Sequence, residues 1–264
     1  MDTRFSAFIM DISGSRELSK ANRLKIKQTL EALEETIHDW THGVIPCKTD
    51  LRMGDELLVV AEHYHAAYIL AYHIYSIWRG IAHPPYFGIA VGNTEETWGE
   101  IGDIRLWTHP VIAQAREASE ILKSRRRHKP EMYLYHSVDD VSYELNYLLE
   151  VQHTLMSQQS QQQRWASLLY TYLRSQQEVS ESLDISVPAV SGLISRGNYD
   201  VTEKTYDMIV RRLEKLECSD SGDKCNFEAQ QLQRTRLVDN IQTHRRRKIQ
   251  GAEEFVVETL LDLL

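Results

Sequence analysis

The stretch FIMDISGSR, residues 8 to 16, runs an apolar segment into Asp11, then into a Ser-Gly-Ser turn and Arg16. By itself, an aspartate at a strand end is an ordinary structural residue leaving the core through an Asx turn. A second stretch, RMGDELLVV at residues 52 to 60, adds the carboxylates Asp55 and Glu56 at a tight turn before an apolar run. If that hairpin pairs with the first strand, Asp11 lies next to Asp55 and Glu56 at one sheet edge. Carboxylates so placed repel one another unless a cation sits between them. Mg²⁺ (or Mn²⁺) suits the position, because it takes a few carboxylates and completes its shell with water and phosphate oxygens. Ser13 and Gly14 follow Asp11 with backbone N–H groups that a phosphate can meet. Asp11, Asp55 and Glu56 are therefore the candidate metal ligands, and Ser13 and Gly14 candidate nucleotide contacts.

The elements needed to bring these residues together are legible. Residues 5 to 11 read as a buried strand. In the segment 17 to 40, Ile26, Leu30, Leu33, Ile37 and Trp40 recur at three- and four-residue steps, which is one apolar face of a long helix. Residues 44 to 62 read as two strands joined at Met53-Gly54-Asp55, and 63 to 78 as a helix. Residues 86 to 93 form a strand, and 121 to 137 end one helix and begin another strand. The order β-α-β-β-α-β is the split βαβ arrangement of a ferredoxin-like α+β fold, with helices on one face of an antiparallel sheet.

After about residue 137 strand signals stop. SQQSQQQ at 157 to 163 and CSDSGDKCN at 218 to 226 are polar breaks in an otherwise helical region. Between them, RSQQEVSESLDISVPAVSGLISRGNYD at 174 to 200 has the anatomy of a helix-turn-helix. Val179 and Leu183 face inward on the first helix. Asp184 takes the left-handed turn position, which aspartate tolerates. Ser186 caps the second helix and Pro188 sits in its first turn, where a missing N–H costs nothing. Val190, Leu193 and Ile194 give that helix a core face. Val187, Pro188, Ser191 and Arg196 are the candidates to enter a DNA major groove, with Gln176 and Gln177 on phosphate. Against this, residues 161 to 217 hold seven Lys/Arg and eight Asp/Glu, whereas a DNA reader usually shows a basic excess. Dimerisation or protein docking stays open as the use of this module.

Composition narrows the rest. The chain has 264 residues and a formal net charge of -8, which argues against a surface that coats nucleic acid throughout. Three cysteines, Cys47, Cys218 and Cys225, suit a reducing cytosol better than a disulfide framework. No stretch reaches the roughly eighteen apolar residues of a membrane helix, so the expectation is a cytoplasmic protein without membrane contact. His63, His65 and His73, read as one helix, lack i, i+4 ligand spacing and suit surface or satisfied histidines better than zinc. The basic runs 124 to 129 and 244 to 248 are read as solvated segments able to add phosphate contacts. The C-terminal EEFVVETLLDLL reads as an amphipathic docking segment.

MDISGSR, RMGDELLVV and HPVIAQAREASEILK together resemble the SatD proteins over roughly residues 5 to 215. SatD proteins are similar in turn to the palm domains of class III nucleotidyl cyclases and GGDEF diguanylate cyclases. The resemblance implies a palm domain over 1–140, a helical helix-turn-helix domain over 141–217 and a helical tail over 218–264. It implies two divalent ions on Asp11 and Asp55 holding a nucleoside triphosphate, with Arg16, Arg52 and Gly54 as further nucleotide contacts. Arg116 matches the arginine that stabilises the transition state, although pairing with Glu117 or Glu120 is the plain alternative. Gly99 and Gly102 match a glycine-containing hairpin. The family's asparagine four residues before the arginine is here Ile112, which forms no hydrogen bond, so metal and triphosphate binding carry over better than cyclisation does. The expected protein is a homodimeric, Mg-dependent nucleotide binder coupled to a DNA-binding helix-turn-helix. The alternative is an active nucleotidyl cyclase or cyclic-dinucleotide synthase.

Overall fold

The computed structural model describes residues 3–14, 18–52, 56–78, 83–124, 132–134, 140–221 and 226–251. β1 (Thr3–Ile12) is the centre of the sheet, and its run of buried residues is continuous rather than alternating. Both of its faces are covered, which is what such a run requires. Phe8, Met10 and Ile12 pack on one side, and Phe5, Ala7 and Ile9 on the other.

The first side is closed by two helices. α1 (Lys20–Thr41) is capped by Ser19, whose side chain accepts from the Asn22 N–H, and it buries Leu30, Leu33, Ile37 and Trp40. α2 (Ala66–Trp78) is buried almost all round. Between them, β2 (Cys47–Arg52) and β3 (Glu56–Glu62) pair antiparallel, and β3 pairs antiparallel with β1. β4 (Pro85–Thr94) flanks β1 on the other side. The first six elements thus follow the β-α-β-β-α-β order read from the sequence.

Two features depart from that reading. β5 (Met132–Leu134) joins β4 in parallel, so the five-stranded sheet, ordered β2-β3-β1-β4-β5, is mixed rather than antiparallel. Helices also cover both faces, because the second face is as apolar as the first. α3 (Pro110–Ser124) lies on that face with Val111, Ile112 and Ala115 against Ile9, Leu58 and Val60. Gly88 of β4 makes this close approach possible, since a Cβ there would fall 2.2 Å from the Ala115 carbonyl oxygen. Of residues 88–107, expected as a glycine-containing hairpin with Gly99 and Gly102, the part up to Thr94 belongs to β4, and residues 95–109 form turns and contain no strand. Their buried Ile101 and Ile104 plug the second face, and Lys48 clamps the carbonyls of Ile101 and Gly102.

A helical region follows the sheet: α4 (Asp140–Ser157), α5 (Gln161–Leu173), α6 (Gln176–Leu183), α7 (Val187–Arg196), α8 (Tyr199–Ser221) and α9 (Phe227–Gly251). The glutamine-rich break is a helix start, where Ser160 and Gln163 form a reciprocal capping box. The second break is shorter than its composition suggests, because α8 runs on through Ser221. One buried apolar cluster extends from the first sheet face through α2 into these helices. α9 returns to α1, where Asn240 donates to the Trp40 carbonyl and Arg245 lies 4.6 Å from the Trp40 ring. Among the described residues, no helix is long and apolar enough to cross a membrane.

Candidate functional site

Asp11 on β1 stands directly opposite Glu56 on β3. Each lies two residues along its strand from a residue of the second face, Ile9 or Leu58, so both carboxylates project toward α3. Opposed residues on adjacent strands have Cβ atoms about 4.5–5.5 Å apart, close enough for two carboxylates to repel. α3 answers with two cations. Arg116 and Lys123 are two helical turns apart and so share one side of α3. Arg116 meets Glu56 with two nitrogens, at 2.8 and 3.3 Å. Lys123 Nζ lies 2.6 Å from Asp11 and 2.9 Å from Glu120. Partial burial pulls the Lys123 ammonium down, but the hydrogen bonds and charges of Asp11 and Glu120 more than offset it and raise it above its ordinary value. In each pair the cation is the more open partner, with side-chain exposures of 47% for Arg116 against 16% for Glu56 and 35% for Lys123 against 19% for Asp11.

The structure thus brings Asp11, Glu56 and Arg116 together. Arg116 reaches across to the sheet rather than pairing with Glu117 or Glu120 on its own helix. Asp55, Gly54 and Arg16 lie outside the described residues. Arg52 is opposite Glu56 in register, but its guanidinium is held by Asp50 at 2.6 Å and by the Ile104 carbonyl. The Ser13 N–H is spent on the Pro84 carbonyl at 3.1 Å, and the Ser13 carbonyl faces His83 Nδ1 at 3.0 Å. Gly14 has φ of +67°, which keeps the turn a glycine position. Ile112 packs into the second-face cluster, so the position is structural as well as unable to hydrogen-bond. Lys123 was missed by the sequence reading; its seven-residue spacing from Arg116 was the available signal.

Among the described residues, no group of three or more His, Cys, Asp or Glu side chains converges as metal ligands. Asp11 and Glu56 supply the hard oxygen donors that Mg²⁺ takes, partly open to water, so the donor chemistry fits such an ion. Each oxygen pair already has a cationic partner, so entry of a metal means displacing the Lys123 ammonium.

The second candidate region is α6 and α7. Ser175 caps α6, Asp184 ends it in the left-handed region at φ 50° and ψ 47°, and Ser186 caps α7 with Pro188 in its first turn. Val179, Val190 and Ile194 are buried beneath. Gln177, Pro188, Ser191 and Arg196 are exposed, while Gln176 and Val187 are half-buried. Gln177 is engaged by Glu181 at 2.8 Å, and the Arg196 guanidinium folds back over Gly192.

The remaining sequence candidates mostly serve packing. His63 and His65 precede α2 rather than lying on it with His73. His63 bonds to Glu217, and His73 to the Tyr172 hydroxyl. In the 244–248 run His244 accepts from the Trp40 indole, Arg245 is buried and Arg246 binds Glu178 at 2.7 Å, while Arg247 and Lys248 are exposed. Cys218 is disulfide-bonded, unlike the free thiols expected from the cysteine count, and Cys47 is free. Residues 125–129, Cys225 and the C-terminal segment 253–264 lie outside the described residues. The chain matches no family model, no curated protein and no solved structure.

Proposed function

We propose that this chain is a SatD-like, nucleotide-responsive regulator. In this reading the sheet and its helices act as a cyclase-like palm that binds a nucleotide with Mg²⁺, and α6–α7 acts as a helix-turn-helix on DNA. The observation that carries it is the opposition of Asp11 and Glu56 on adjacent strands, with Arg116 and Lys123 converging from α3. Asp11 and Glu56, together with Asp55, would hold the ion. Bound there, Mg²⁺ supplies positive charge to phosphate oxygens. Freed from its carboxylate, Lys123 is left facing the same oxygens, and Arg116 adds a planar, two-pronged donor suited to phosphate. Packing of Ile112 in the apolar cluster favours binding over cyclisation. The left-handed Asp184 and the cap at Ser186 favour the helix-turn-helix reading of α6–α7, with Pro188, Ser191 and Arg196 outward.

Equilibrium dialysis of each ribonucleoside triphosphate, with and without Mg²⁺, tests the reading when the products are resolved by mass spectrometry. The expected result is metal-dependent retention of one nucleotide without conversion. Absence of retention under both conditions overturns the nucleotide half, and a cyclic or linked product makes the protein an enzyme instead. Selection from a random duplex DNA pool, with and without the retained nucleotide, tests the other half. A pool that stays unenriched in both arms removes DNA from the account.

A further inference from the structure

The helices α5, α8 and α9 diverge around a cavity of about 630 Å³, within the range of about 300–1,000 Å³ usual for small-molecule sites. Three tyrosines line it. Tyr170 and Tyr199 meet edge to face at 5.2 Å. Tyr206 is only 9% exposed, and among the described residues its buried hydroxyl has no hydrogen-bond partner. A hydroxyl so withdrawn is costly unless something completes it.

The charges lining the cavity are unequal. Arg174 lies 3.7 Å from Glu203, and Arg234 lies 3.3 Å from the buried Glu214, so these cations are answered from within. Among the remaining lining residues, three carboxylates, Asp200, Asp207 and Asp239, stand against the ammonium of Lys204. Aromatic walls receive alkyl chain and ammonium groups alike, the latter by attraction to the ring face. An inorganic divalent ion suits the space poorly, since tyrosine walls offer it few ligands.

We propose that this wedge binds a small aliphatic polyamine, its methylenes on the tyrosines, its ammonium groups on the aspartates and one N–H at the Tyr206 hydroxyl. The site adjoins α6–α7 at both ends: Arg174 precedes the Ser175 cap, and Tyr199 opens α8 just after α7. It is independent of the nucleotide reading.

Calorimetric titration of the full chain with spermidine, at fixed ionic strength and with butylamine as the singly charged comparator, tests the proposal. Spermidine is expected to bind at one site per chain, about tenfold or more tighter than butylamine. The exposed pair Asp207→Asn with Asp239→Asn is expected to weaken it about tenfold while circular dichroism stays unchanged. Tyr206→Phe is expected to weaken it severalfold with no cavity created. No saturable binding at about 1 mM spermidine, equal affinity for butylamine, or indifference to the paired Asn substitutions would each overturn the proposal.

Discussion

The two ends of β3 carry charge in opposite ways. At its start, Glu56 is held by a long arginine reaching from α3, beside an Asp11–Lys123 pair that also touches water. Just past its end, Glu217 is 2% exposed and accepts from the Tyr64 N–H at 2.7 Å, from Gln230 at 2.7 Å, and bonds His63 at 2.9 Å. Half-solvated pairs contribute little and exchange readily, whereas a buried carboxylate with a full set of partners cannot be released without leaving them unsatisfied. On the proposed reading the first cluster serves ligand exchange, while the second holds α8 against the sheet.

Removing Glu217 is therefore the largest perturbation. Glu217→Ala should cost about 3–5 kcal/mol, read as a fall in denaturation midpoint. A loss below about 1 kcal/mol, the size expected for the half-solvated pairs, would erase the distinction. Gly88→Ala attacks the other cluster through its support. With Ala115 and Ser119 backbone atoms within 2.3 Å of the added carbon, α3 must lift and carry Arg116 and Lys123 away. The expected cost is about 3 kcal/mol, measured by chemical denaturation.

Acid should weaken the buried end next. Burial holds His65 well below its ordinary value, helped by His63 and Arg234, and holds His73 at about 3. The unfolded chain takes up these protons near pH 6.5 and the folded chain does not, so stability falls as pH drops below about 6.5. Each histidine accounts for up to about 1.4 kcal/mol per pH unit. His63 has the opposite sign: burial lowers it, but Glu217 more than offsets this, so its contribution is present below about pH 6.5 and lost as pH rises through its raised folded value. His65→Leu should flatten the slope between pH 6.5 and 5 by one histidine's share; an unchanged slope contradicts a neutral, buried His65. The smallest effect belongs to Lys123→Ala, which should shift stability by less than about 1 kcal/mol in urea denaturation.

The same contrast explains what was legible. The α6–α7 junction depends on Asp184, Ser186 and Pro188, whose preferences act within a few residues, and the face of α1 depends on a periodic pattern. Asp11 could be read as a strand end and Glu56 as part of a turn. Arg116 was a candidate in its own right, but the pairing of Arg116 with Glu56 and of Lys123 with Asp11 could not be read, because both reach the sheet only through the way α3 crosses β4 at Gly88. The extension of α8 past Cys218 was hidden for a related reason: Glu217 and Asp220 are held by Tyr64, so tertiary bonds override a turn-like composition. Coverage of the second face by Ile101 and Ile104 likewise follows from packing, since 95–109 has no regular period of its own.

The central claim is that Asp11 and Glu56 form an exchangeable cation site now answered by Lys123 and Arg116. The most direct test is Mn²⁺ binding followed by electron paramagnetic resonance, with nucleoside triphosphate present, for the wild type, Asp11→Asn and Lys123→Ala. The account predicts bound Mn²⁺ in the wild type, its loss in Asp11→Asn, and tighter binding of Mn²⁺ alone in Lys123→Ala, where the competing ammonium is gone. No bound Mn²⁺ in any of the three, or binding indifferent to Asp11, would contradict it.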